Sequence, residues 1–446
     1  MQSKKILAIL IALTSSCGWV LGADWREFRG PSGNGFVADE IPIEWSLAAN
    51  ERWRSELPGE GWSSPIVIGQ TIFLTAAIPA SSLDSPSRDA LSLDSPSRVE
   101  SLDDSPSRDP SIASTDLKLC LLAIDSTNGQ LIQQVHVFTE HATTASAIHS
   151  KNSHASPTPF FDGTHLFVHF GHQGTACVAL DGTIVWRNDS LGYPPVHGNG
   201  GSPVVAGDHL IFARDGADIS EVTALDKHTG RIAWQTERNV DPPKQFSFCT
   251  PLLLELAGQT QLILPGSNVV QSLDPSDGRE IWRVRYEGYS VIPKPIYHAG
   301  LVFISTSYDR ARLLAIDPTG KGDVTQTHVR WTTQSAAVPH TPSLVARDGQ
   351  VMMISDSGIA AAYDASTGDE LWKKRIGGNF SASPLLCGSQ LHLLSEEGDW
   401  TVLDVAGQEP RELATNRLGE RVLASPAVID DELIIRTAQA LYRIGR

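Results

Sequence analysis

The stretches ASPLLCGSQLHLLSEEGDWTVLD (Ala382–Asp404) and ASPAVIDDELIIRTAQALYRIGR (Ala424–Arg446) are one phrase written twice. Each opens on a Pro-led apolar run, crosses a short polar turn, and passes through two more strand-like runs. The first copy continues into a fourth run; the second stops at the last residue. Reading backwards, the same opening recurs as SSPIVIG, ASPTPFFDG, GSPVVAGD, TPLLLEL, KPIYHAG and TPSLVARDG. The anchoring prolines are Pro65, Pro157, Pro203, Pro251, Pro295, Pro342, Pro384 and Pro426. After the first interval their spacing stays between about 42 and 48 residues, the period of propeller blades.

Within each copy a third run closes on a turn such as ALDKHTG, SLDPSDG or AYDASTG, and a fourth carries Trp: TIVWRN, RIAWQTE, EIWRVR, HVRWTTQ, ELWKKR. Period-2 apolar alternation with Asp-to-Gly punctuation predicts antiparallel hairpins, glycine supplying the positive φ. The truncated last copy lacks its Trp strand, and ERWRSEL (Glu51–Leu57) is a Trp strand without a copy of its own. The expected fold is therefore all-β, an eight-bladed β-propeller of four-stranded antiparallel blades. The N-terminal strand completes the C-terminal blade, which leaves no free sheet edge. Trp53, Trp186, Trp234, Trp282, Trp331 and Trp372 are expected to pack between neighbouring outer strands.

The 446 residues are 41% hydrophobic and carry a net charge of −16, which disfavours nucleic acid and anionic lipid as partners. Lys4 and Lys5 followed by the apolar Ile6–Leu13 read as a signal peptide over 1–23, too short to span a bilayer. Export to the periplasm or cell envelope follows. Cys17 offers a lipid anchor as an alternative, although Leu13 stands one place too far back for a lipobox. The other cysteines, Cys120, Cys177, Cys249 and Cys387, sit in apolar runs without metal or haem spacing. Mature residues 24–446 are read as one propeller domain. The tract at 82–111, three near-copies of SLDSPSR, is too polar to order itself and reads as a disordered insert.

The blade phrase SPVV…G…ALD..TG…W resembles the PQQ-like β-propeller repeat, over nearly all of the mature chain. With DWREFRGPSGNG (Asp24–Gly35), KNSHASPTP (Lys151–Pro159) and the SASP and ASPA phrases, it is similar to exported planctomycete-type proteins of that superfamily. The superfamily includes the quinoprotein alcohol dehydrogenases and the envelope protein BamB. The resemblance implies a non-catalytic binding or scaffold propeller of the bacterial envelope, with a protein or small-molecule partner and no cofactor. A PQQ-dependent oxidoreductase using PQQ and Ca²⁺ is the alternative; the chain lacks the adjacent cysteine pair of such enzymes. An unrecognised hydrolase or lyase is the third reading. No catalytic residue and no metal ligand set is assigned.

Within a blade the links between strands one and two, and three and four, are short and repetitive. The other two link classes vary and emerge at one end of the ring, where specificity can be built. Glu60, Trp62, Lys151, Asn152 and His154 are expected on that face, with His197, Asn199, Lys294, His340 and Arg421. His149, His154 and His197 enter blades two and three and could form a metal or acid/base cluster. The 82–111 insert links strands two and three of the first blade and is expected over the same mouth.

Overall fold

The computed structural model describes residues 24–38, 40–80 and 115–446. The expected leader, Cys17 and the SLDSPSR tract lie outside the described residues. Eight four-stranded antiparallel sheets form the blades of a propeller. Seven are built from consecutive chain: 66–140, 160–188, 204–237, 252–285, 296–334, 345–375 and 385–417. The eighth joins 427–429, 432–436 and 440–444 to the N-terminal strand Glu51–Glu56, with Glu51 opposite Ile444 and Glu56 opposite Ala440.

The middle strands are apolar on both faces because each face meets a different neighbour. In Gln350–Ile354, Val351 and Met353 pack with Phe303 of blade five, whereas Met352 and Ile354 pack with Leu391 of blade seven. All four are buried, and each is worth roughly 1.5–3 kcal/mol in transfer free energy. The alternation of side chains along a strand thus becomes an alternation between two interfaces.

The fourth strand of every blade carries a register shift beside one position. Such a bulge adds local twist and re-aims the side chain. That position holds Trp186, Trp234, Trp282, Trp331, Trp372 or Trp53 in six blades. The indole nitrogens of Trp53, Trp186, Trp234 and Trp331 donate to Ser126, Lys227, Pro275 and Ala365 carbonyls in the next blade's third-to-fourth-strand turn. The glycine of that turn lies flat on the indole: a β-carbon at Gly230 would meet the Trp186 ring at 2.5 Å.

Four blades depart from this pattern; in blade six Trp372 holds the position but its indole nitrogen is buried with no protein partner. Trp282 is fully buried and donates to Gln261 Oε1 at 2.9 Å, while Gln261 Nε2 donates to the Pro318 carbonyl of blade five. The glutamine therefore relays the docking bond. Blade one has Gln133 in place of Trp, donating to the Asp181 carbonyl. Blade seven has Ala414 there, because blade eight has no third-to-fourth-strand turn to receive an indole. Asn416 instead clamps the chain entering the closing strand, accepting from Trp45 N–H and donating to the Ile43 carbonyl, both at 2.8 Å.

Residues 25–37 form a strap that crosses the inner ends of the blades. Trp25 pairs with Val67 of blade one, the Arg26 carbonyl accepts from Phe161 N–H of blade two, and Glu27 reaches Lys294 of blade five. Phe36 and Val37 then run parallel to Leu386 and Cys387 of blade seven. The stretch DWREFRGPSGNG, whose sequence carries the resemblance, takes its structural place in this closure of the ring at the short-turn end.

Candidate functional site

The residue heading each innermost strand occupies the same station in every blade: Ser64, Thr158, Ser202, Thr250, Lys294, Ser343, Ser383 and Ser425. Six of them accept the main-chain N–H of the residue one blade earlier. Ser64, Thr158 and Ser202 donate to Thr158, Ser202 and Thr250 at 2.9–3.0 Å. Lys294, Ser343 and Ser383 donate to Ser343, Ser383 and Ser425 over the same distances. The result is a belt of hydroxyls around the channel, each satisfying an amide that the neighbouring strand leaves unpaired. In six blades the sequence carries its signal in the Ser/Thr immediately before a proline, whereas blade five has Lys294 there and Ser343 of blade six follows Pro342. Of the anchoring prolines, Pro157 and Pro342 stand two residues early; Pro159 directly precedes Phe160 and Leu344 directly precedes Val345.

Above this belt lies a cup of about 470 Å³. Its floor is the seven hydroxyl residues and Phe28 of the strap; its wall comes from the links into the inner strands and from the second-to-third-strand link of blade five. The wall carries a continuous arc of rings. His149 and His197 meet edge-to-face at 5.7 Å, His197 and Phe246 at 5.2 Å, and Phe246 and Tyr289 at 5.8 Å. Tyr289 and Tyr308 follow at 6.0 Å, and Tyr308 stacks on His340 at 4.5 Å. Centroid separations of this order are those of favourable aromatic pairs.

Polar groups fix the arc. Lys244 Nζ donates to Tyr289 Oη at 3.0 Å and sits 4.2 Å from the ring centroid. Tyr289 O–H donates to Asp309 at 2.7 Å; burial, then this carboxylate, pushes the phenol up to about 12. Asn152 Nδ2 donates to the His197 carbonyl and holds that residue at φ +64°. A left-handed histidine is uncommon, and here it aims the imidazole at the cup. Burial lowers the His197 pKa; burial, then His197 and Lys151, lower that of His149, so both rings are neutral near pH 7. The Nδ1 atoms of His197 and His340 are buried with no protein partner.

Of the residues expected on this face, Trp62, Lys151, Asn152, His197 and His340 line the cup. The other five do not line it. Glu60 is exposed and pairs through its backbone with Ala77. Lys294 belongs to the belt but turns its ammonium to Glu27, 3.2 Å away. Arg421 lies over Trp62 and donates to the Ser150 carbonyl. Asn199 is buried, accepting from Tyr193 O–H. His154 turns away from His149 and His197 to the fully buried Glu140, at 3.7 Å, which also has His172 at 3.4 Å. Despite its burial, these two histidines hold the Glu140 carboxyl down at about 2. The three linker histidines thus do not form one cluster, and no group of three metal-ligating side chains occurs among the described residues. Phe246, Tyr289 and Tyr308 were missed because single aromatics in variable links carry no periodic signal.

A family model described as outer membrane protein assembly factor BamB matches residues 118–284 and 256–444. A BamB of Marinobacter adhaerens is 31% identical over 86 residues, 19% of this chain and 21% of that protein, so the matched part spans about a fifth of the curated relative's length. Among solved structures, BamB from Moraxella catarrhalis superposes with a TM-score of 0.54 at 14% identity, over 73% of this chain and 93% of that one. The computationally designed Ika8 protein gives 0.52 at 10% identity, over 74% and 92%. At these identities the structural likeness is one of fold.

Proposed function

Because the chain belongs to the family described as outer membrane protein assembly factor BamB, we propose that it is a non-catalytic binding or scaffold propeller of the bacterial cell envelope. Its partner docks into the cup at the variable-link end. The observation that carries this reading is the arc from His149 to His340. Large rings, pre-positioned by hydrogen bonds and by one another, offer contact area at little cost in side-chain freedom, as binding sites do. Export through the 1–23 leader, with or without lipidation at Cys17, belongs to the same proposal. So do the assignment of 24–446 to one propeller domain and the reading of 82–111 as an insert over the mouth.

A quinone with Ca²⁺ does not fit the residues present. Asp309 is the one carboxylate lining the cup among the described residues, and Tyr289 already donates to it. The four described cysteines are buried, in separate parts of the ring.

The test is affinity capture from envelope extracts with the wild-type chain and with a Phe246→Ala/Tyr289→Ala variant of unchanged melting temperature. A partner held by the first and released by the second supports the cup as the docking site. Equal retention sinks it. Dye-linked alcohol oxidation after loading with PQQ and Ca²⁺ would overturn the non-catalytic reading.

A further inference from the structure

The polar groups lining the cup fall into two sets. Those of the wall are taken up by one another. Lys151 Nζ lies 2.8 Å from Glu396 Oε1, and Ser381 O–H donates to the same oxygen at 2.6 Å. Ser156 O–H donates to Asn152 Oδ1 at 2.6 Å, while Asn152 Nδ2 holds the His197 carbonyl. Lys244 and Asp309 both engage the Tyr289 hydroxyl. The Lys and Asp side chains of the lining thus each have a protein partner, and His149 and His197 beside them are neutral near pH 7.

The floor is different. The six belt hydroxyls that accept a main-chain N–H have one lone pair occupied, and none of them donates to a protein acceptor among the described residues. Each keeps its hydrogen and a second lone pair. Ser64 Oγ, at the same station of blade one, has no hydrogen-bond partner among the described residues. All seven hydroxyl residues line the cup. Each can donate one hydrogen bond to a ligand and accept one from it.

This combination selects the chemistry of the ligand. An apolar body would expel water from the floor and leave its hydroxyls unpaired, which is costly. An ionised ligand would meet no Lys or Asp that lacks a partner. A carbonyl accepts and does not donate. The group that does both is a hydroxyl, and a cluster of hydroxyls on a carbon ring is a sugar. The rings from His149 to His340 then cover its C–H groups, as apolar walls do in small-molecule sites with a few directed polar groups. The volume of about 470 Å³ is also that of such a site.

We propose that the cup binds an uncharged pyranose, with the sugar hydroxyls on the belt and its C–H groups against the arc. The inference rests on the cup being the docking site. The sugar is either free or the terminal unit of a glycan.

Calorimetric titration of the full chain at pH 7 tests this with the methyl glycosides of glucose, galactose and mannose. The matching uronates supply the ionised counterparts, and tetrahydropyran-2-methanol supplies the ring without its hydroxyl cluster. At least one neutral glycoside is expected to bind, about tenfold or more tighter than its uronate and than the bare ring. Ser64→Ala should weaken it about fivefold, the size of one hydrogen bond, at an unchanged melting temperature. That serine accepts no belt amide, so its loss leaves the belt intact and a merely structural role would not move the affinity. A trisaccharide ending in the same sugar that binds at least as tightly assigns the site to a glycan end; weaker binding assigns it to a free sugar. Absence of binding by all three glycosides, a uronate or bare ring as tight as the neutral sugar, or undiminished affinity in Ser64→Ala overturns the sugar site. The capture experiment judges the cup separately: a partner released by Phe246→Ala/Tyr289→Ala while no glycoside binds removes the sugar and keeps the docking site.

Discussion

The indole of Trp53 donates to the carbonyl oxygen of Ser126 at 2.9 Å, and this one bond joins the last blade to the first across 73 residues of sequence. Arg443, opposite Trp53 in the same sheet, reaches the same carbonyl. The joint is therefore both the docking of one blade on the next and the closure of the ring.

Trp53→Ala should destabilise the protein by about 3–5 kcal/mol, as for other large buried aromatics. Trp53→Phe keeps a ring against Gly129 and loses the hydrogen bond, for about 1 kcal/mol. Urea unfolding of the pair measures both, and equal losses would show that the ring's packing contributes nothing to closure.

Gln261 links Trp282 to Pro318, so Gln261→Leu leaves a fully buried indole N–H without an acceptor. The expected loss is about 1–3 kcal/mol. A Gln261→Leu/Trp282→Phe double variant should recover part of it, since both partners are then apolar. No recovery in the unfolding midpoint would mean the relay is not the source of the cost.

The belt predicts a contrast at one residue. Thr250→Val removes the acceptor of the Ser202 amide in a buried setting and should cost about 1–3 kcal/mol, whereas Thr250→Ser should be near neutral. Exchange of the Ser202 amide with deuterium should accelerate in the first variant and not in the second.

Acid should weaken the fold in two stages. His169 and His392 are buried and lowered to about 3, by burial first in each case. His392 Nδ1 accepts from Trp400 at 3.1 Å, which requires the neutral ring. A depressed histidine pKa means that the unfolded chain takes up protons that the native state refuses. Stability present above about pH 6.5 is thus lost as pH falls towards 3. The turn aspartates Asp125, Asp226, Asp274 and Asp364 are lowered by hydrogen bonds from Thr and Ser of their own turns. Their contribution holds above about pH 4 and fades below it. A urea midpoint that is flat between pH 7.5 and 5 would refute the first stage.

The base of the second-to-third-strand link in blade one is already closed, with Ala80 N–H donating to the Asp116 carbonyl at 2.8 Å and Pro79 opposite Leu117. Excising 82–111 should therefore leave the melting temperature within a few degrees, because closure entropy changes slowly with loop length. A collapse of the melting temperature would show that the tract contributes packing.

The number of blades, their strand order and the pairing of Glu51–Glu56 with the C-terminal blade were legible in the sequence. Each is a property of periodic apolar residues and turn residues, which local chemistry specifies repeat by repeat. The six docking tryptophans were legible for the same reason. Whether an indole meets a turn directly, through Gln261, or finds no turn at all at Ala414 depended on the next blade. The strap, the belt and the aromatic arc were decided only by the tertiary structure. Phe246, Tyr289 and Tyr308 stand in links that obey no period, and they meet because ring closure brings the entrances of successive blades together. Only the strap brings Glu27 to Lys294 of the belt, 267 positions away in the sequence.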